Sequence, residues 1–316
     1  MKNLSSFLLL SLTLFSTTGL ALARNAFARN VKQWPNFNEQ RFDTGGLSRD
    51  SFPEGFVFGT AASAYQVEGM ASKDGRGPSI WDVFVKTPGN IAGDATGEVS
   101  VDQYHRYKED VDLMKTLNFD AYRFSISWPR IFPNGTGKVN WQGVAYYNRL
   151  IDYMLEKGIT PHANLYHYDL PLALQEKYGD EKNGKPIGPQ AYSGWLYQVP
   201  WGMYKVVTYL KERYGNPTII LSENGMDDPG NLTLPEGLYD QIRVNYYRSY
   251  LKELKRAMDD GANVIGYFAW SLLDNFEWLL GYTSRFGLVY VDYNDLKRYP
   301  KLLAYWFKHM LERNNV

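Results

Sequence analysis

The sequence has 316 residues, with 34 basic and 34 acidic side chains and a formal net charge of zero. It contains no basic run interleaved with aromatic residues, which excludes the usual pattern of a nucleic-acid-binding domain. It also has no cysteine, only four histidines and no His-Glu-x-x-His spacing, so we predict neither a disulfide framework nor a metal or other cofactor. Aromatic residues make up 16%, a composition that suits carbohydrate sites as well as a packed core.

The first 23 residues have the pattern of a secretory signal. Lys2 supplies a positive charge, Phe7–Phe15 an apolar segment, and Ala21-Leu22-Ala23 a cleavage site. The apolar segment is too short and too polar to span a membrane. We therefore predict a mature single domain over residues 24–316 that is secreted or vacuolar.

Two glycosylation sequons follow the predicted signal. They begin at Asn134 and Asn231, and both lie in segments interrupted by Gly or Pro. Such acceptor sites are expected on surface loops of a secreted protein.

The remaining chain alternates between predicted strands and helices. The strands are residues 56–62, 121–128, 161–168, 219–221 and 264–270, and the helices are residues 104–117, 144–155, 170–178, 201–214, 238–260 and 301–312. This alternation predicts an α/β fold with a parallel sheet of five strand–helix units. Five units can form an open doubly wound sheet but cannot by themselves close an eight-stranded barrel. No Gly-x-Gly-x-x-Gly follows a strand, so a dinucleotide site has no support.

The segment from Ile219 to Gly225 is the one most suggestive of chemistry. Its apolar start predicts a strand buried on both faces, and Glu223 follows at the carboxyl end of that strand. In parallel α/β sheets, functional side chains stand at these ends. The alternative is a solvent-exposed glutamate before an Asn-Gly hairpin turn.

Polar and aromatic side chains also follow the other predicted strands. Taken singly, Arg123 could form a core ion pair, His167 could be a packed histidine, and Trp270 could be core. Together they place hydrogen-bonding groups and flat rings on one rim, as a sugar pocket requires. The residues concerned are Gln66, Glu68, Arg123, His167, Asp169, Glu223, Trp270, Asp274, Asn275, Glu277 and Trp278.

Several long motifs resemble plant-type β-glucosidases of glycoside hydrolase family 1. They are residues 58–69 (Phe-Gly-Thr-Ala-Ala-Ser-Ala-Tyr-Gln-Val-Glu-Gly), 122–128 (Tyr-Arg-Phe-Ser-Ile-Ser-Trp), 166–171, 222–225, 270–278 and 284–287. The resemblance covers nearly the whole mature chain in two blocks that meet near residue 180. It implies a (β/α)₈ barrel that hydrolyses terminal β-glucosides with retention of configuration.

The resemblance also implies roles for individual residues. Glu223 corresponds to the nucleophile, and Arg123 to the cation that keeps it ionised. The glucose subsite corresponds to Gln66, His167, Trp270, Glu277, Trp278 and Phe286. The expected ligands are β-glucoside small molecules or oligosaccharides.

One part of the family pattern is missing. Retaining hydrolysis needs a second carboxyl group as acid/base, which the family carries in an Asn-Glu-Pro motif at the end of strand four. The sequence has no Asn-Glu-Pro, and strands four to six are missing at a seam near residues 179–182. We therefore predict about five of eight barrel units and an inactive or severely impaired enzyme.

Three functional alternatives remain open. The chain could be an active β-glucosidase with another second carboxylate. It could be a non-catalytic glucoside-binding protein. It could also be an interaction protein that pairs with a full-length relative through the open edges of its barrel.

Overall fold

A computed structural model describes residues 42–164, 166–169, 171–172, 191–193, 196, 198–213 and 215–313. The predicted signal at residues 1–23, the seam at residues 179–182 and all but the start of the predicted helix 170–178 lie outside these ranges.

The centre of the fold is a parallel sheet of five strands. In the described residues the strands are β1 (Val57–Ala61), β2 (Ala121–Ser125), β3 (Thr160–Asn164), β4 (Ile219–Asn224), β5 (Asp228–Pro229), β6 (Val264–Trp270), β7 (Ser284–Arg285), β8 (Val289–Val291) and β9 (Arg298–Pro300). The sheet order is β3-β2-β1-β6-β4, with every pair parallel. The sheet is a partial (β/α)₈ barrel, and its five strands agree with the five predicted strand–helix units. Two small antiparallel pairs, β5 with β7 and β8 with β9, lie outside it.

Helices connect the parallel strands. They are α1 (Ala64–Val67), α2 (Ile80–Phe84), α3 (Gln103–Thr116), α4 (Trp128–Ile131), α5 (Trp141–Glu156), α6 (Pro200–Arg213), α7 (Leu234–Leu238), α8 (Gln241–Asp259) and α9 (Leu302–Met310), with 3₁₀ turns at Arg49–Ser51, Ala92–Asp94 and Trp278–Leu280. None of the helices in the described ranges combines the length and the apolar character needed to cross a membrane.

Apolar faces of the longer helices form the core. Helix α5 buries Tyr146, Leu150 and Met154, and it ends where Gly158 takes a positive φ of 69°. Only glycine adopts that conformation without strain, so the chain can turn there into β3. Because α3 and α5 lead into β2 and β3 in the same way, the carboxyl ends of the strands meet at one rim.

Several sequence-based expectations were wrong in detail. The predicted strands 121–128 and 161–168 end at Ser125 and Asn164, and the predicted helix 238–260 begins only at Gln241. Pro129 lies in the first turn of α4, where its missing N–H needs no partner. The strand containing Ile219 is not buried on both faces. Ile219 is 9% exposed, but Ile220 is 42% exposed, because β4 is the edge of the described sheet.

Candidate functional site

A pocket of about 640 Å³ opens at the carboxyl ends of the strands. Six of the eight residues predicted for catalysis and sugar binding line it, and the other two, Gln66 and Arg123, stand behind Glu277 and Glu223. The lining residues are Trp81, His167, Tyr168, Leu196, Glu223, Asn224, Gly225, Tyr246, Tyr250, Trp270, Glu277, Trp278, Leu279 and Phe286.

Glu223 and Arg123 form an ion pair across the inside of the curved sheet. The Arg123 Nη1 atom lies 3.0 Å from Glu223 Oε2, although two strands separate β2 from β4 in the sheet. Solvent reaches 42% of the Glu223 side chain, and the pocket walls still raise its pKa above the ordinary value. The Arg123 guanidinium opposes that rise.

The turn after Glu223 is not a hairpin. The next strand, β5, pairs with β7 instead of β4. A Cβ atom at Gly225 would lie 2.2 Å from the carbonyl oxygen of Trp270, so glycine is needed for the backbone to pass. The hairpin of the alternative interpretation is therefore wrong, although Glu223 itself is partly exposed to solvent.

Glu277 is the second carboxyl group in the pocket lining. The Gln66 side chain donates to Glu277 Oε2 at 3.3 Å and to the Phe276 carbonyl at 3.0 Å, while Ser63 holds the Gln66 oxygen at 2.7 Å. Burial, with added repulsion from Asp227 and Glu223, raises the pKa of Glu277 to about 8. The raised pKa favours the protonated form of Glu277, which can donate a hydrogen bond to a hydroxyl group.

A stack of flat rings forms one wall. The His167 ring lies nearly parallel to Trp270, at 5.7 Å between centroids, and to Trp278, at 6.2 Å. Burial and the nearby Arg123 lower the pKa of His167 to about 4, so its imidazole is neutral near pH 7. Trp278 also lies parallel to Tyr65 at 6.1 Å, and Phe286 is buried beside Trp270. A neutral, largely apolar wall of this kind suits the face of a sugar ring.

Sequence reasoning missed several lining residues. Trp81 lies in the Gly- and Pro-rich stretch 70–100, and its indole N–H donates to the Tyr168 carbonyl at 3.1 Å. A capping box, in which Ser79 and Asp82 bond each other's backbone, begins α2 and could have indicated order in that stretch. Tyr246 and Tyr250 follow helical spacing on α8, so their pattern indicated only a buried helix face.

Other residues at the predicted strand ends do not line the pocket. Glu68 forms a buried ion pair with Arg130 at 2.8 Å. Asp274 accepts from both Arg285 and Lys301, at 2.7 and 2.8 Å. Asp169 is 1% exposed, and burial raises its pKa to about 7. In the described part of the chain, no group of three or more His, Asp or Glu side chains is arranged to hold a metal ion.

The sequence is similar to a family model and to plant enzymes. The model for glycosyl hydrolase family 1 matches residues 48–187 and 181–316. The chain is 44% identical to "Beta-glucosidase 44" of Arabidopsis thaliana, over 88% of this chain and 94% of that protein. It is 43% identical to "Beta-glucosidase 1" of Oryza sativa subsp. japonica, over 86% and 91%. The first alignment spans 481 positions, so at least 165 of them contain no residue of this 316-residue chain.

The fold is similar to solved β-glucosidase structures. The match to rice Os3BGlu6, as a mutant in a covalent complex with Glc, has a TM-score of 0.80 at 32% identity, and covers 85% of this chain and 100% of that one. A Thermotoga maritima family 1 β-glucosidase bound to isofagomine lactam matches with a TM-score of 0.76 at 27% identity, over 82% and 98%.

Proposed function

The chain belongs to glycosyl hydrolase family 1, and we propose that its pocket binds the glucosyl unit of a β-glucoside with Glu223 as the nucleophile. The observation that carries this proposal is the 3.0 Å pair between Glu223 and Arg123 at the pocket wall. The pair favours the ionised carboxylate, which is the form that attacks. Glu277 and His167 supply hydrogen-bonding groups for the sugar hydroxyls, and Trp270 and Trp278 supply apolar surface. Gln66 lies outside the lining and holds Glu277 from behind.

The proposed chemistry begins as a retaining displacement. A Glu223 oxygen forms a bond to the anomeric carbon while the bond from that carbon to the leaving oxygen breaks. The leaving oxygen takes the electron pair and needs a proton unless it is already a stable anion. Water then attacks the anomeric carbon, the bond from that carbon to the Glu223 oxygen breaks, and the water gives up a proton to solvent, which releases glucose and restores the carboxylate.

We propose that protonation of the leaving oxygen is the impaired step. The sequence has no Asn-Glu-Pro motif, and the other carboxyl group in the described lining, Glu277, is bonded to Gln66 on the sugar-binding wall. Loss of general acid catalysis costs on the order of 10²–10⁴ in rate. Substrates with activated leaving groups should therefore be far less affected than alkyl glucosides.

Covalent labelling tests this proposal directly. The chain is incubated with a 2-fluoro-glucoside that carries an activated leaving group, and its intact mass is measured. One added fluoroglucosyl unit, mapped to Glu223 and lost in Glu223→Gln, is the expected result. No label on the folded chain would contradict the nucleophile assignment, and ready hydrolysis of an alkyl glucoside would contradict the impairment.

The open sheet edge favours a second candidate, pairing with a full-length relative. In the described sheet β4 lacks a neighbour on one side and leaves Ile220 42% exposed. Edge strands with free backbone groups readily accept another strand. A stable complex with a full-length relative on size exclusion supports this candidate. Saturable glucoside binding by calorimetry, without labelling, supports a non-catalytic binding protein instead.

We further propose that the chain enters the secretory pathway and is secreted or vacuolar. The signal-like pattern of residues 1–23 supports this, as do the sequons, because Asn134 and Asn231 are both exposed. Expression in a plant cell followed by enzymatic deglycosylation should lower the mass. Asn134→Gln and Asn231→Gln should each remove one glycan, and an unchanged mass in both would contradict the proposal.

A further inference from the structure

Glu223 lies in an irregular part of the sheet. Leu221 pairs with Tyr267 and Asn224 pairs with Ala269, so two residues of β4 separate the pairs where β6 has one. Such a bulge leaves residues outside the regular ladder and turns side chains in new directions, often next to active sites. The ladder therefore does not by itself fix the direction of Glu223, and β4 has no neighbour on its other side in the described sheet.

The residue after Glu223 is held by side chains. The Asn224 Nδ2 atom donates to the Tyr246 hydroxyl at 2.9 Å, and the Tyr267 hydroxyl donates to Asn224 Oδ1 at 2.7 Å. The Tyr247 hydroxyl lies 2.8 Å from the carbonyl of Trp270 and 3.2 Å from that of Asn224. Asn224 is thus bonded on both atoms of its amide and at its backbone carbonyl.

The three tyrosines are themselves fixed. Tyr246, Tyr247 and Tyr267 are 4%, 0% and 1% exposed, and the first two belong to α8. The Tyr246 ring lies 4.2 Å from that of Tyr250, and the Tyr247 ring packs edge-on against Phe307. Hydrogen bonds from rigid, buried groups position a partner more precisely than bonds from mobile surface groups.

We propose that the clamp formed by Asn224, Tyr246, Tyr247 and Tyr267 is a positioning device that aims Glu223 at the pocket and at Arg123. This inference rests on the proposed role of Glu223 as the nucleophile. The clamp fixes the bulged end of β4 from the helix side, which compensates for the open edge. Its members act through Glu223, and their loss should change the reactivity of the carboxylate more than the affinity for glucose.

The test compares variants that remove one hydrogen bond each. Tyr246→Phe and Tyr267→Phe keep the buried rings, and Asn224→Ala removes both amide bonds. We expect the rate of labelling by the 2-fluoro-glucoside to fall about 3–10-fold in the tyrosine variants and about 10–100-fold in Asn224→Ala. Glucose affinity by calorimetry should fall by a smaller factor than the labelling rate in each variant. Tyr153→Phe, which removes a hydroxyl of α5 bonded to Asp112 of α3, should label at the wild-type rate.

A double-mutant cycle sharpens the test. If both residues act through one clamp, adding Tyr267→Phe to Asn224→Ala should cost almost nothing further. Fully multiplicative losses would overturn the proposal, as would wild-type labelling in all clamp variants. Equal losses of glucose affinity and labelling rate would indicate a purely structural role and would also overturn it. If Asn224→Ala does not fold, the single tyrosine variants carry the test, and wild-type labelling in both of them would overturn the proposal.

A readout independent of turnover separates this inference from the proposed function. The titration of Glu223 is followed by carboxyl ¹³C NMR and assigned through Glu223→Gln. Loosening the clamp should move the carboxylate away from Arg123 and raise its pKa further. A wild-type chain that shows no label but has this shift in the clamp variants would contradict the nucleophile role and retain the clamp. An unchanged Glu223 titration in all clamp variants would overturn the clamp.

Discussion

The two walls of the pocket are supported in different ways. The wall after β6, which carries Glu277 and Trp278, rests on a buried network in which Asp274 bonds Lys301, Arg285 and the Gly287 backbone. The neighbouring wall is the end of the edge strand β4, where Glu223 is 42% exposed and the register with β6 is irregular. The wall that carries Glu277 is thus braced from within the core, whereas the proposed nucleophile depends on a few side-chain contacts. Substitutions that weaken the first wall should therefore affect sugar binding, and substitutions near the second should affect the reactivity of Glu223.

Removing Asp274 should have the largest effect on the braced wall. Asp274→Ala leaves the fully buried Lys301 and the adjacent Arg285 without their carboxylate. Loss of one partner of a buried pair costs about 3–5 kcal/mol, because the other charge stays desolvated. Urea unfolding measures this, and Asp259→Ala, which breaks an exposed pair with Lys255, should cost less than about 1 kcal/mol. Similar costs for both would show that the network does not brace the wall.

Glu277 should make the same wall sensitive to pH. Burial raises its pKa from the ordinary value to about 8. Between about pH 4.5 and pH 8, the Glu277 carboxyl therefore ionises in the unfolded chain but stays protonated in the folded one. The stabilisation from this group is complete below about pH 4.5 and is lost as pH rises through about 8, by on the order of 5 kcal/mol. The free energy of unfolding should therefore change less with pH across this range in Glu277→Gln than in the wild type. The exposed Glu156→Gln should keep the wild-type slope, and a wild-type slope in Glu277→Gln would contradict the assignment.

The ionisation of Glu223, on the other wall, should depend on Arg123. Arg123→Gln removes the cation beside Glu223, so the pKa of Glu223 should rise further and less of it should be ionised in mild acid. We expect labelling at pH 6 to fall on the order of tenfold, equivalent to about 1.4 kcal/mol, with a smaller loss at pH 8. Arg149→Gln, on the exposed face of α5, is the control. A loss independent of pH would show that Arg123 acts by packing instead of charge.

The smallest effect is expected at the open edge. Ile220→Thr keeps a β-branched residue at an exposed position of β4, so the free energy of unfolding should change by less than about 1 kcal/mol. Self-association, measured by sedimentation at increasing concentration, should decrease because apolar edge surface is removed. Unchanged self-association would show that the chain does not associate through the β4 edge. Ile265→Thr, equally exposed on β6, is the matched control for surface polarity.

Local sequence patterns predicted which segments form strands and helices better than they predicted the burial and neighbours of those segments. The strand Val264–Trp270 was predicted with its observed ends, because its apolar run stops at a clear boundary. The exposure of Ile220 could not be predicted in the same way, since it depends on which strands lie beside β4. Sequence alternation gives the count of five strands but not the order β3-β2-β1-β6-β4. Neighbour relations between distant segments are a property of the whole sheet.

The site shows the same division. Glu223 and Arg123 are 100 residues apart, and family motifs brought them together before the structure gave their 3.0 Å separation. Trp81, Tyr246 and Tyr250 carry no comparable motif that the sequence reasoning used, and only the folded chain brings them to the pocket. Side chains that stand at strand ends within family motifs are readable from sequence. Residues that hold those strand ends in place are not.

The Arg123–Glu223 pair also has a mechanical consequence. It joins β2 to β4 across the concave side of an open arc, and His162 on β3 contacts Phe268 on β6 in the same interior. These cross-connections oppose flattening of a sheet that no further strand of the described residues closes. Covalent attachment of a sugar to Glu223 would neutralise one end of the first connection. The curvature of the arc is therefore coupled to the chemical state of a single carboxylate.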